Sequence, residues 1–513
     1  MIHPRVSKLI NNSQDSKPSV FALDLRSLAL FRVAIGLLLL ADLVFRWPTM
    51  IEMCTDEGMV TRKLSFEYYQ ATLGQFWNYV IWSFYWISGS SVFAKLLFVI
   101  SGVFAFMLLI GKWTRVATIG CWAMWISLHV RNPFVITSGD FLLKMTLFWS
   151  IFLPLGATWS MDSLKRAGQN LPSGYPGMSF ASLATVGYIL QLMISYLFPG
   201  IEKLNDVWFR GEAMAYVLRL DIYITEFGRS LLEYGGLLTF TSWATLFAEV
   251  VLIWTLLFKW QNSLFRWINI VVFWSFHIGI GLSMSIGLFP FICSIAWLPL
   301  IPGKFWRGAE SKSYDSPLQF SGRKFYFKFS QFVCGIFCFV MVGWNISNIE
   351  SLGLIPMRNT LLAPLAYPVH VDQHFQMFGK PPVQNPWFVY EAKLADGSEI
   401  DIFRDQPVDH KRPEWVRKSF PGFHWRKVHR NLLDERLAYM REPLLTYMVD
   451  KWNADHDETK QVVRARLLCY LEDIGPNYSP VNRRHSVWSS YGGQASAGSV
   501  FDSMLDKELK TPF

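Results

Sequence analysis

The stretch FASLATVGYILQLMISYLFPGIEK, residues 180–203, decides what kind of chain this is. From Phe180 to Gly200 it carries no charge, and Gln191 is its one amide. A helix needs about 20 mostly apolar residues to cross the hydrocarbon core of a bilayer. The run ends on Pro199-Gly200, which predicts a break in the helix, followed at once by Glu202 and Lys203. Lys203 then sits on irregular backbone, which is tolerated near a membrane where it is buried in protein or lines a watery cavity.

Apolar runs of similar length recur at 27–45, 91–111, 115–130, 141–158, 236–257, 265–284, 285–302 and 326–345, so about nine spans are expected. The shorter aromatic stretch 75–88 reads as an interfacial piece, because Trp and Tyr favour the headgroup zone. Of the 513 residues only 17% are charged. A typical soluble protein carries about 25%. With 52% apolar residues and 6 Cys, a single soluble domain, a disordered chain and a disulfide scaffold are excluded.

The net charge of +9 is read as topology. Lys and Arg gather in the loops near 112–115, 159–179, 258–266 and 303–325 and before the first span, as the positive-inside rule requires of cytoplasmic loops. The N-terminus is therefore expected in the cytoplasm, and an odd number of spans puts the C-terminal part on the outer, periplasmic or lumenal, side. No basic stripe interleaved with aromatics suggests a nucleic-acid partner. The first span has no cleavage signature and reads as an anchor.

The expected fold is mainly α: a polytopic transmembrane helical bundle with a C-terminal extramembrane α+β domain. Its parts are a cytoplasmic segment 1–26, a membrane domain 27–345, an outer domain 346–475 and a flexible tail 476–513, the tail inferred from its Ser, Gly and Asn content. In the outer domain, 387–394 and 398–403 flank Asp396-Gly397, a hairpin signal. Residues 425–472 read as helical. Cys54 and Cys469 face the same side in this topology, which permits a disulfide as well as two free thiols.

Charged residues at membrane depth are functional candidates by default. Asp140 and Lys144 stand four apart on one helix and could pair. Arg32 could snorkel or pair with Asp42, and Lys95 is placed to snorkel. Glu249 has no local partner and could meet a Lys from another helix. Lys203 reads either as a desolvated amine able to act as a base or as an anchor tied to Glu202 or Asp206. His277 lies mid-span among Gly279, Gly281, Ser283 and Ser285, small residues that allow close helix approach or room for a flat ligand. His370, Asp372 and His374 alternate along an extended segment, a spacing that could hold a metal although a solvated segment is the simpler reading; no metal is assigned.

Three of these pieces together resemble a known family. Gly200-Ile-Glu-Lys203-Leu-Asn-Asp-Val-Trp208-Phe-Arg-Gly211-Glu-Ala-Met214 resembles the G-V-K-K-L-D-x-x-W-x-x-G-x-x-M segment of the vitamin K-dependent γ-glutamyl carboxylases. Phe276-His277 and Ser285-Ile286-Gly287-x-Phe289 resemble the same family's F-H-x₇-S-I-G-x-F pattern, and Trp159-Ser160-Met161-Asp162 its W-S-x-D. Leu30-Phe-Arg32 through Asp42, and Arg131-Asn-Pro to Gly139-Asp140, are similar to the bacterial branch of the wider horizontally transferred transmembrane (HTTM) group.

The resemblance implies an integral membrane enzyme that oxygenates a reduced quinone, converting vitamin K hydroquinone to its epoxide, with coupled carboxylation of protein Glu. O₂, and CO₂ for carboxylation, are the implied co-substrates; membrane lipid, a lipophilic quinol and a Glu-containing protein are the implied partners. It makes Lys203 the catalytic base and His277 a partner of a quinol oxygen. Trp208, Gly211, Ser285 and Gly287 would shape the pocket, with Trp159, Asp162, Asp140, Lys144, Arg32 and Glu249 in support. The chain departs from the animal enzymes at Ile280, where they carry Asn, in the loop Thr137-Ser138-Gly139-Asp140, which lacks their His, and in its shorter outer domain. Those departures touch carboxylation more than quinol oxygenation. A non-enzymatic binder, an immunity-type protein or a transporter on the same fold is the alternative.

Overall fold

The computed structural model describes residues 19–492 except 79, 170–177, 307–323, 350–352, 374, 376 and 476–477. Among its helices are α1 (Leu25–Arg46), α2 (Ser91–Ile110), α3 (Thr114–Arg131), α4 (Ser138–Ser150), α5 (Leu183–Glu202), α6 (Gly235–Val250), α7 (Asn262–Ser283), α8 (Phe289–Ile295) and α9 (Lys324–Ser347). Polar side chains start them where free backbone N–H groups need acceptors. Asp24 caps α1, Ser90 caps α2, and the reciprocal pairs Thr137/Asp140 and Ser182/Thr185 open α4 and α5. Gly111 closes α2 in the left-handed conformation (φ +69°), which a Cβ disfavours.

Among the described residues, six helical segments are long and apolar enough to cross a membrane: Leu25–Cys54, Ser91–Ile110, Leu183–Glu202, Gly235–Leu257, Asn262–Ser283 and Phe327–Ser347. They bury Phe31, Ile35, Tyr188, Leu192 and Phe273 in one core with Trp149 and Trp297. Their other faces stay apolar and open, with Phe106, Phe240, Phe247, Ile278 and Phe339 all more than half exposed, as a lipid-facing surface requires. The chain is an integral membrane protein on these grounds. The remaining three expected spans fall short. The stretch 115–130 is helical but α3 carries Arg115, His129 and Arg131; α4 stops after 13 residues; and Phe289–Leu300 is a short apolar helix. With a helical rise of about 1.5 Å per residue the last two reach only about 20 Å, less than a bilayer core.

The C-terminal part is built on a five-stranded antiparallel sheet of β1 (Gln384–Leu394), β2 (Glu399–Asp401), β3 (Gln406–Pro407), β4 (Val462–Ile474) and β5 (Pro480–Tyr491), in the order β3-β2-β1-β4-β5. The expected hairpin is present: Glu391 pairs with Asp401, and Gly397 takes φ +87° at the turn. Helices α10 (Phe423–Asn431) and α11 (Arg441–Asp455) pack against the sheet. Two expectations are corrected. Residues 462–472 form β4, not a helix; exposed Val463, Arg464 and Arg466 share the strand with buried Ala465 and Leu467, and β1 pairs along its length. Residues 480–491 form strand β5, held by β4, within the stretch expected to be a flexible tail. All six cysteines are free, so Cys54 and Cys469 are two buried thiols.

Candidate functional site

Lys203 caps the C-terminus of α5. The expected break is a correction: α5 continues through Pro199-Gly200 to Glu202. Gly200 has a different task. A Cβ there would lie 2.9 Å from Glu249 Cβ. Glycine therefore lets α5 and α6 approach closely enough to pair their charges. Lys203 Nζ donates to Glu249 Oε2 at 2.6 Å, and the side chains are 4% and 2% exposed. Glu249 sits in the last turn of α6, far from that helix's start at Gly235. The interhelical Lys partner anticipated for Glu249 is therefore Lys203, and Lys203 is neither a lone amine nor a surface anchor on Glu202 or Asp206.

The chain after Lys203 turns back along α6. Gly211 (φ +73°) abuts Thr239, Met214 N donates to Ser242 Oγ, and Trp243 Nε1 donates to Phe209 O. Trp208 is buried, with its ring 5.4 Å from Lys203 Nζ. That separation suits a cation–π contact. The Trp208 Nε1–H donates to the carbonyls of Phe378 and Gly379, and Asn205 Nδ2 also donates to Gly379 O. The segment 377–379 thus lies across the Lys203–Trp208 corner. Gln373 follows the same path deeper in the bundle, where Gln191 Nε2 donates to its Oε1 and Trp344 Nε1 to its carbonyl.

Two turns before Lys203 on α5, Tyr196 meets His277. Trp297 Nε1 donates to Tyr196 Oη, and Tyr196 Oη lies 2.8 Å from His277 Nε2. With Tyr196 already accepting from the indole, its own proton is best directed at Nε2, which puts the imidazole proton on Nδ1. His277 Nδ1 is buried and has no hydrogen-bond partner among the described residues. Buried polar atoms left in this way call for a partner such as water or ligand.

The other motif residues form joints. Asp162 accepts from Trp113 N, Thr114 N and Thr114 Oγ1, capping α3. Arg32 Nη1 donates to the terminal carbonyls of α2, Leu108 and Leu109, and its Nη2 to Trp159 O, where Trp159 holds φ +49°. Arg32, Trp159 and Asp162 therefore clasp α1, α2 and α3 together. Neither of the expected pairs on Arg32 and Asp140 forms. Asp42 pairs with Arg46; Asp140 caps its own helix through Thr137, with Arg46 and His129 at 3.7 and 3.5 Å; Lys144 donates to Asp372. Helix geometry explains this, since Asp140 turns back to the N-cap. Lys95 is exposed.

Ser285 and Gly287 meet the C-terminal region: Arg426 Nη2 donates to Ser285 Oγ, and Gly287 (φ +66°) packs against the Phe423 ring. His370 is buried with φ +50° and its Nε2 has no partner among the described residues, while His374 lies outside them. Among the described residues no cluster of three His, Cys, Asp or Glu could hold a metal. Sequence reading did not single out Tyr196 or Trp297; aromatic residues in an aromatic-rich bundle give no local signal of their hydrogen bonds.

The family model described as the HTTM domain matches residues 22–306. No curated protein and no solved structure matches the chain. The matched region is more than half of the chain and contains the clasp, the Lys203–Glu249 pair and the His277 chain. The protein belongs to the HTTM domain family.

Proposed function

We propose that the protein is a membrane-embedded, carboxylase-like enzyme that takes a proton from a lipid-soluble hydroquinone of the vitamin K type, using Lys203 and Glu249 as a joint proton acceptor. The observation that carries this is the buried 2.6 Å contact between Lys203 and Glu249. The pair shares one proton, on the amine or on the carboxylate. Taking up a second gives an ammonium beside a carboxylic acid, so the proton is accepted wherever the first one rests. The hydroquinone loses its hydroxyl proton in that step, and the ammonium balances the anion that remains. This replaces a lone neutral amine with a pair, and it keeps the charge neutral in a dry site before substrate arrives.

The residues fit such a head group in two respects. His277 offers a buried Nδ1 without a partner, and Trp208 offers a flat wall beside the amine. The hydroquinone supplies the reducing power, and with O₂ the overall balance is hydroquinone plus O₂ to epoxide plus water. Carboxylation would add CO₂ to a Glu side chain in the same cycle. His277 would orient one hydroxyl while Lys203 and Glu249 receive the proton of the other.

The close packing favours a second reading. Both charged side chains are almost fully enclosed and 377–379 covers Trp208, as in a purely structural strut of a non-catalytic binder or transporter. Turnover separates the two. Purified protein in detergent with reduced vitamin K and O₂ is expected to form epoxide, and Lys203→Met and Glu249→Gln to slow it by about 100-fold or more. No epoxide from the wild type, or equal turnover by the variants, would overturn the proposal.

A further inference from the structure

Lys203 and Glu249 are almost fully enclosed, so a small molecule reaches them only when part of the protein moves. Two of their walls are stiff. α5 and α6 are membrane-length helices, and a Cβ at Gly200 would lie 2.9 Å from Glu249 Cβ and 3.0 Å from Val250 Cγ2. The outermost wall is of another kind. Met377, Phe378 and Gly379 are only half-buried, and among the described residues they make no backbone–backbone hydrogen bond. Segments held this way come from the low-stability end of a fold.

We infer that residues 377–379 are a hinged gate over the Lys203–Glu249 pair, with Asn205 and Trp208 as its latch. Both ends of the strap are fixed. Before it, Lys144 Nζ donates to Asp372 O, Gln191 Nε2 to Gln373 Oε1, and Trp344 Nε1 and Asn348 Nδ2 to Gln373 O. After it, Pro381-Pro382 stiffen the chain. Ile474 N then donates to Val383 O, just before β1. Between these anchors the strap touches the chain on both sides of Lys203. A Cβ on Gly379 would lie 2.9 Å from Glu202 Cβ. Asn205 Nδ2 donates to Gly379 O at 2.7 Å, and Trp208 Nε1 to Phe378 O and Gly379 O at 2.9 and 3.0 Å.

These three hydrogen bonds end on two backbone carbonyls, so lifting the strap breaks no ion pair among the described residues. The closed position also carries two costs that opening relieves. Phe378 holds φ +55°, a conformation that a Cβ disfavours. Asn205 Oδ1 is buried with no partner among the described residues, where a buried acceptor calls for one. A few residues between fixed ends can absorb the change in backbone angles that a hinge needs. That the gate admits a hydroquinone rests on the function proposed above. The gate itself does not.

The test reads Glu249 in detergent-purified full-length protein with dicyclohexylcarbodiimide, a lipophilic reagent that adds to protonated carboxyl groups in apolar surroundings. Modified peptides are followed by mass spectrometry. Glu202→Cys with Gly379→Cys supplies a staple: the 2.9 Å Cβ separation need widen only by about 1 Å to suit a disulfide. The oxidised staple, mapped as the 202–379 disulfide, should slow Glu249 modification about tenfold, and reduction should restore it. Asn205→Leu in the unstapled chain removes one latch donor and should speed modification about fivefold. Equal modification with the staple oxidised and reduced would overturn the gate, because the reagent would then arrive between the helices. So would an unchanged rate in Asn205→Leu, or no modification of Glu249 in either chain. If the disulfide does not form, the Asn205→Leu rate decides alone. None of these readings depends on quinone turnover, so the gate and the proposed function can fail separately.

Discussion

Lys203 and Glu249 show how two costly residues become tolerable together. Removing one partner of a buried ion pair leaves the other charge uncompensated and costs about 3–5 kcal/mol. Lys203→Met and Glu249→Gln alone are each expected to lower the thermal midpoint in detergent, and the double variant to recover most of the loss. A double variant as unstable as the sum of the singles would show that the two do not act as a pair. A Cβ at position 200 would stand 2.9 Å from Glu249 Cβ and push α5 from α6. Gly200→Val should therefore destabilise by about 1–3 kcal/mol. The same midpoint measurement checks it, and an unchanged midpoint would contradict the close approach. His429 gives the clearest pH signature. Its Nδ1 meets the Trp425 carbonyl, which can only accept, so Nδ1 donates and Nε2 accepts from Tyr390. Burial lowers His429 to about 4 against its usual 6.5. Between those values the unfolded chain binds the extra proton, so stability rises with pH and is lost as pH falls through the window, by up to about 1.4 kcal/mol per pH unit. Hydrogen exchange of β1 and β4 at pH 7, 6 and 5 should show it, and His429→Gln should flatten the response.

At the level of elements, the clasp of Arg32, Trp159 and Asp162 joins three helices. Asp162→Asn weakens three hydrogen bonds at the start of α3. A lost helix cap costs about 1 kcal/mol. Limited proteolysis of the loop at 111–114 should accelerate in this variant; unchanged cleavage would mean the cap is dispensable. These residues also show what a sequence can disclose. Apolar length announced α1, α2, α5, α6, α7 and α9, because a bilayer demands it. The Asp396-Gly397 turn announced its hairpin, because few residue pairs adopt that geometry. Strand β4 stayed hidden, since Leu, Arg and Ala favour helix locally and only pairing with β1 and β5 decides otherwise. The end of α5 misled for the opposite reason: Pro199 lies inside the helix, and in a membrane bundle the neighbouring elements allow a helix to continue past a proline.

Across the whole molecule, the membrane helices and the C-terminal sheet region meet through α10, which touches Ser285, Gly287 and the loop at Phe134. The family-like motifs thus serve two ends. Trp159 and Asp162 join helices, Ser285 and Gly287 join the two regions, and Lys203 and His277 are left at the buried polar centre. The types of these residues were legible in the sequence, but their partners were not. Glu249, Tyr196, Trp297 and Gly379 lie far along the chain from the residues they serve, and no local pattern encodes such distances. The central claim is that the Lys203–Glu249 pair receives the proton of a hydroquinone whose other edge rests on His277. A density map of the protein in lipid with a redox-inert hydroquinone analogue tests it most directly. The account expects the head group between Lys203 and His277, with one hydroxyl at the pair and the other at His277 Nδ1. A head group bound elsewhere would contradict it.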